Sequence, residues 1–147
     1  MDAITIKNLD VVFGKKTDQA LELLDQGRTR QEIIDEIGQI VGVDNVSLSV
    51  KEGEICVLMG LSGSGKSSLL RAVNGLNEVS RGELMIKNGD KLVDIAQCNE
   101  ETLRHLRTQR VSMVFQNFAL MPWLTVLDNV AFGLEMQGIA KNERRAR

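Results

Sequence analysis

The sequence predicts an α/β fold that carries an antiparallel β layer near its N-terminal end and a small helical insertion. Three observations lead there. Two alternating apolar stretches, residues 3–13 and 46–50, open the chain, and alternation places every second side chain on one face of a half-buried sheet. A continuous apolar run, Ile55 to Met59, then passes through a glycine-rich loop into a leucine-bearing helix. That is the strand–loop–helix unit of an α/β core. Between the alternating stretches, residues 17–38 change to helical spacing.

The first strand is marked by Ile4, Ile6, Leu9, Val11 and Phe13. The insertion, TDQALELLDQGRTRQEIIDEIG, reads as two short helices separated at Gly27. Thr29 and Glu32 form a capping-box pattern for the second helix, and Gly38 is its stop. Val46, Leu48 and Val50 alternate again up to the turn Lys51-Glu52-Gly53. Ile55 to Met59 is unbroken in apolar character, as expected of a strand buried on both faces. Ser67 to Gly75 is the following helix, with Leu69, Leu70 and Val73 on one side. GELMIKNGDKLVDI predicts a hairpin about an Asn88-Gly89 turn. Residues 100–108 form a short polar helix, Val111 to Phe115 another strand, and Thr125 to Gln137 an amphipathic helix, with Pro122 breaking the chain between the last two. The closing KNERRAR is polar and helical with no stop signal. The expected organisation is one domain over residues 1–147 with an insertion at 17–41.

With 147 residues and 43% hydrophobic content the chain has enough apolar surface for a packed core. Its net charge of −2 leaves no basic excess to neutralise nucleic-acid phosphates. GRTRQEIIDEIG has the look of a DNA-binding helix pair, but Glu22, Asp25, Glu32, Asp35 and Glu36 outweigh Arg28 and Arg30 and would repel DNA. A helical insertion packed against the rest is the expectation, with no nucleic-acid partner. Cys56, in the apolar strand, and Cys98 lack C-x-x-C neighbours and read as free thiols of a reducing cytosol. The opening MDAITIKNLD lacks a basic n-region with an apolar h-region, and nowhere do about 18 apolar residues run together. Any membrane role is expected to come through a partner. His105, the only histidine, sits beside Arg104 and Arg107 and reads as solvent-facing and not catalytic.

Gly60-Leu61-Ser62-Gly63-Ser64-Gly65-Lys66-Ser67 satisfies G-x-x-x-x-G-K-[ST], the phosphate-binding P-loop, in its required place between strand and helix. Glycines at 60, 63 and 65 let the backbone wrap tightly, with no side chain keeping its N–H groups from phosphate oxygens. The helix that follows adds unpaired N–H groups and the positive end of its dipole. Lys66 is expected to reach the β- and γ-phosphates, and the Ser67 hydroxyl to ligate magnesium. A nucleoside triphosphate is therefore the expected ligand. A GTPase would add D-x-x-G and N-K-x-D after the loop. The one D-x-x-G, Asp35 to Gly38, precedes it, and N-K-x-D is absent. Nothing after the loop announces the lid and second pocket of a small kinase.

Three further stretches resemble the ATP-binding subunits of ABC transporters. VSMVFQNFALMPWLTVLDNV is similar to their strand and Q-loop, with Gln116 as the Q-loop glutamine. Phe13, followed by Gly14, resembles the aromatic position on which adenine stacks. GVDNVSLSVKEGEICVLMGLSGSGKSS resembles the approach to the P-loop. More narrowly, the helical pair between Phe13-Gly14 and Gly42-Val43, together with FALMPWLTVLDNVAFGLEMQGI, is similar to importers of glycine betaine, proline betaine and choline. The resemblance implies an ABC-type P-loop fold, ATP and Mg2+ as ligands, and a nucleotide set of Phe13, Gly60, Leu61, Ser62, Gly63, Ser64, Gly65, Lys66, Ser67 and Ser68. It implies Lys66 and Gln116 in catalysis and Ser67 and Gln116 near the metal. It also implies membrane-spanning permease subunits, a second ATPase subunit, an indirect substrate-binding protein, and a peripheral place on the cytoplasmic face of the inner membrane. The alternative readings are Phe13 as a core aromatic and Gln116 as a surface amide. Phe118, Leu120, Met121 and Trp123 read either as core or as a docking surface.

The family places its signature, Walker B aspartate, catalytic glutamate and switch histidine beyond the Q-loop, and none occurs between Gln116 and Arg147. Leu61-Ser62-Gly63-Ser64-Gly65 echoes the signature but is the P-loop itself. The fold is thus expected to be incomplete at the C-terminus, and the chain inactive as an ATPase by itself. The rival readings are another P-loop phosphotransferase and a non-catalytic regulatory or DNA-binding module.

Overall fold

The computed structural model describes residues 2–147 apart from 118 and 119. They pack into two compact units, one ending at Asn99 and the other spanning Glu100–Arg147.

The first unit holds β1 (Asp2–Phe13), α1 (Thr17–Asp25), α2 (Arg30–Ile37), β2 (Ile40–Lys51), α3 (Lys66–Val73), β3 (Arg81–Asn88) and β4 (Lys91–Asp94). The strands make one antiparallel sheet in the order β2-β1-β3-β4. The expected β layer is therefore present, and β2 is longer than the alternation at 46–50 indicated. Its first residues pair with the end of β1, Phe13 opposite Ile40 and Val12 opposite Val41. Ile40 and Val41, assigned to the insertion from sequence, belong to the sheet. The β1–β2 ladder breaks between Ile6 and Leu9, where Asn8 and Asn45 both take positive φ. Asn tolerates that region, and Asn8 Nδ2 donates to Asn45 Oδ1 at 2.9 Å.

Ile6, Leu9, Val11, Val43, Leu84 and Ile86 are buried on the sheet, with Leu69 and Ala72 of α3. Asp10 is buried among them. Its carboxylate accepts from Asn45 N at 2.6 Å and from Arg81 Nε at 2.7 Å, which is how a charge survives there. Arg81 Nη1 also donates to both oxygens of Asp25 on α1, at 2.8 Å each. Asp10 first and then Asp25 hold the Arg81 guanidinium pKa above its usual value.

The insertion forms as expected. Thr29 Oγ1 accepts from Glu32 N, the Glu32 carboxylate accepts from Thr29 N at 2.8 Å, and Gly38 closes α2 in the left-handed region. Ala20 and Ile33 pack with Val12 and Val41, flanked by Leu21, Leu23, Leu24 and Ile37. The two helices thus share a core with the end of the β1–β2 ladder.

Three expectations change. The β3–β4 turn is centred on Gly89-Asp90, because Asn88 pairs with Lys91. Gly89, at φ 65°, takes the first turn position, as a II′-type loop requires. Ile55 to Met59 forms no strand: Ile55 is 90% and Met59 88% exposed. Cys56, expected to be buried in it, is exposed too. A parallel strand draws its hydrogen bonds from neighbouring strands, and among the described residues none lies beside this run. Only Leu58 is partly covered.

In the second unit α4 (Glu100–Gln109), α5 (Val126–Met136) and α6 (Lys141–Ala146) form where sequence placed helices. Thr125 Oγ1 caps α5 by accepting from Asp128 N at 3.2 Å. Arg145 of α6 donates to Asp128 at 2.9 Å, and Arg144 pairs with Glu135 at 3.0 Å. Arg145 first, then Thr125, holds the Asp128 carboxyl below its usual range. The strand expected at Val111 to Phe115 is not formed, and Val114 is 94% exposed, for the same want of a neighbouring strand. His105 is exposed on α4. Among the described residues no helix is long and apolar enough to cross a membrane.

Candidate nucleotide-binding site

The glycine-rich loop joins the extended run at 55–59 to α3. Gly63 and Gly65 take φ of 79° and 97°, a region that L side chains strain to enter. Gly65 has a second reason to lack a side chain: a Cβ there would overlap the carbonyl oxygen of Gly42 in β2. Gly65 is the N-cap of α3, so Lys66, Ser67 and Ser68 form the helix's first turn, where backbone N–H groups have no partner within the helix. Lys66 Nζ lies over the loop, donating to Gly60 O at 2.8 Å, Leu61 O at 2.6 Å and Ser64 Oγ at 3.1 Å. Ser67 is exposed, and the Ser68 carbonyl accepts from Asn77 Nδ2 at 3.0 Å. Leu61 and Ser62 sit exposed on the outer curve.

Phe13, at the end of β1, is 39% exposed and so is not a fully buried core aromatic. Its ring lies on Gly42: a Cβ at 42 would stand 2.5 Å from Phe13 Cε2 and 3.2 Å from Ser68 Oγ. Gly42 is the common neighbour through which strand pairing brings the Phe13 ring, Ser68 and Gly65 together. Sequence reasoning missed this residue, although a lone glycine within a strand pattern signals a close backbone approach. Arg30, the first residue of α2, was missed as well. It lines a groove of about 260 Å³ with Gly60, Ser64, Gly65 and Lys66, and no local sequence signal announces that approach.

An anion with several oxygens suits this arrangement. It presents positions without side chains at Gly60, Gly63 and Gly65, a helix start and an ammonium within one loop. An apolar ring stands beside it for a flat group. The Ser67 hydroxyl is the metal donor this loop offers.

Gln116 lies exposed in the second unit, in a bend after the run at 111–115. Leu120 and Trp123 are 71% and 76% exposed, so those two are not core. Met121 is partly covered. Its N–H donates to Asn129 Oδ1, while Asn129 Nδ2 donates to the carbonyls of Met121, Leu124 and Thr125. Phe118 lies outside the described residues.

The family model for ABC transporters matches residues 43–147. The chain belongs to the ABC transporter family. This ABC chain is 46% identical, over 97% of its own length, to the glycine betaine/proline betaine transport system ATP-binding protein ProV of Salmonella typhimurium. It is 43% identical, over the same share, to the glycine betaine transport ATP-binding protein OpuAA of Bacillus subtilis. It is 44% identical over 98% of its length to the trimethylamine N-oxide transport system ATP-binding protein TmoW of Ruegeria pomeroyi. The chain spans 34% of ProV, 33% of OpuAA and 41% of TmoW. Among solved structures, the ATP-binding cassette MJ0796, a dimer in a post-hydrolysis state bound to ADP and Pi, matches with a TM-score of 0.73 and 28% identity. That match covers 97% of this ABC chain and 53% of the cassette. The ABC fold class expected from the sequence is thus the one observed.

Proposed function

We infer that this chain is part of the ATP-binding subunit of an ABC importer for quaternary amines such as glycine betaine or choline, coupling ATP binding and hydrolysis to transport. The observation that carries the reading is the loop Gly60–Ser67, with Lys66 held over it and Phe13 beside it through Gly42. Relatives named for betaine transport, alike over nearly the whole chain, give the substrate class.

In this reading the triphosphate lies along the start of α3. Backbone N–H groups and the Lys66 ammonium neutralise its charge, and charge-assisted hydrogen bonds are the strong ones. Lys66 would exchange the carbonyls of Gly60 and Leu61 for phosphate oxygens. Magnesium, when bound, would neutralise the phosphate oxygens, with Ser67 as its hydroxyl ligand from this chain. Phe13 would stack on the adenine, and Gln116 is the residue that would orient the attacking water. The partners are membrane-spanning permease subunits, with the exposed Leu120 and Trp123 as part of the docking surface, and a second ATPase subunit. A substrate-binding protein acts at one remove, and the subunit sits peripherally on the cytoplasmic face of the membrane. No nucleic-acid partner belongs to this reading.

Disruption of the coding gene in its native cell tests the substrate class. Uptake of labelled glycine betaine at high osmolarity should fall, while methionine uptake persists. Undiminished betaine uptake together with lost methionine uptake would overturn it.

A further inference from the structure

The insertion does more than pack. Its two helices are fastened to the sheet by the Val12, Ala20, Ile33 and Val41 cluster and by the Arg81–Asp25 pair. That fixes where α2 begins, and its first side chain is Arg30. Arg30 Nη1 comes within 3.8 Å of the point a Cβ on Gly65 would occupy, and the side chain is half-buried in the groove at Gly60, Ser64 and Lys66. The carboxylates nearest along the insertion are engaged elsewhere. Asp25 holds Arg81, Glu32 holds Thr29 and Arg28, and Asp35 accepts from Gln31. Among the described residues Arg30 itself makes no salt bridge.

A guanidinium without a carboxylate, held at a loop shaped for anions, is a second cation converging with Lys66. Lys66 is positioned by the loop's own oxygens, whereas Arg30 arrives from a different element. A planar guanidinium matches the spacing of phosphate oxygens and offers several donors at once. Resting on the P-loop reading above, we propose that Arg30 is a phosphate-contacting residue of the nucleotide site, delivered by the insertion. Occupancy of the loop by a polyphosphate then steadies the start of α2, and the insertion senses the nucleotide.

The test measures binding of inorganic tripolyphosphate and of Mg-ATP to the full chain over a salt series, for wild type, Arg30→Gln and Lys66→Ala. Arg30→Gln should weaken both ligands about tenfold, the scale of one hydrogen bond to a charged group. It should also flatten the salt dependence, because one cation fewer meets the ligand. Unchanged affinity, or weaker affinity with an unchanged salt slope, would overturn the proposal, since a packing role would not touch the slope. If Lys66→Ala weakens binding and Arg30→Gln does not, Arg30 alone is misassigned. If Lys66→Ala has no effect, or wild type binds neither ligand, the P-loop reading falls and this proposal with it. Hydrogen exchange on the wild-type chain needs no variant to fold. Tripolyphosphate should slow exchange at the amides of residues 30–34, and unaltered exchange there under saturation would contradict the proposal.

Discussion

Phe13 and Lys66, proposed to meet opposite ends of one ligand, are held by different kinds of contact. Lys66 is held by oxygens of its own loop, so its place follows from eight consecutive residues. Phe13 is placed by pairing across two strands, with its ring against Gly42. Phe13→Ala should weaken adenine nucleotides by roughly 1–3 kcal/mol, as loss of base–aromatic stacking does. Competition titrations with ATP and with inorganic tripolyphosphate separate the causes. An equal loss for tripolyphosphate, which has no base, would show that the ring only packs. The tight glycine turn into α3 was legible because its signal is local. The meeting of Gly42, Phe13 and Ser68 was not, because it depends on register, and Arg30 was invisible because it depends on where a whole helix docks.

Among the elements, α2 is the best specified by its own sequence. Its capping box, read from Thr29 and Glu32, is present with both reciprocal bonds. Hydrogen bonds from Thr29 first, with Arg28 adding, hold the Glu32 carboxyl below its ordinary value of 4.5. A depressed carboxyl pKa adds stability above the unfolded value and loses it as pH falls through the folded one. Exchange at the first amides of α2 should therefore quicken as pH falls below about 4.5, after correction for intrinsic exchange, and Glu32→Gln should remove that step. A pH-independent profile in wild type would contradict this. The sheet depends instead on Asp10. Asp10→Ala leaves the Asn45 N–H without its acceptor and leaves Arg81 with Asp25 alone, and an unsatisfied buried donor costs about 1–3 kcal/mol. Chemical denaturation should report that loss, and a change under about 1 kcal/mol would mean that water replaces the carboxylate. The hairpin was legible to within one residue, since an Asn-Gly pair marks a turn but register fixes its centre at Gly89-Asp90. The runs at 55–59 and 111–115 misled because apolar continuity reports a burial that only neighbouring strands supply.

At the scale of the molecule, the chain spans about a third of ProV, and its two units expose apolar runs at Ile55, Val57, Met59 and Val114. In the proposed reading the loop would hold a triphosphate and Ser67 would offer a metal ligand, while Gln116 is the amide proposed to orient water. The sequence carries neither a Walker B carboxylate nor a signature. Each preorganised charge contact removed commonly costs a factor of about 100–1,000 in rate. The 147-residue chain should therefore release no phosphate from Mg-ATP above the level of its Lys66→Ala variant. Lysine-dependent turnover in a phosphate-release assay would show that catalytic groups reside here in another form.

One titration tests triphosphate binding at this loop directly. Mg-ATP affinity is measured for the folded wild-type chain and for Lys66→Ala, with circular dichroism confirming that both keep the same fold. The wild type should bind saturably and Lys66→Ala at least about tenfold more weakly, because the lysine meets phosphates through charge-assisted hydrogen bonds. Equal affinity in two equally folded chains would contradict the assignment of Gly60–Ser67 as a triphosphate site.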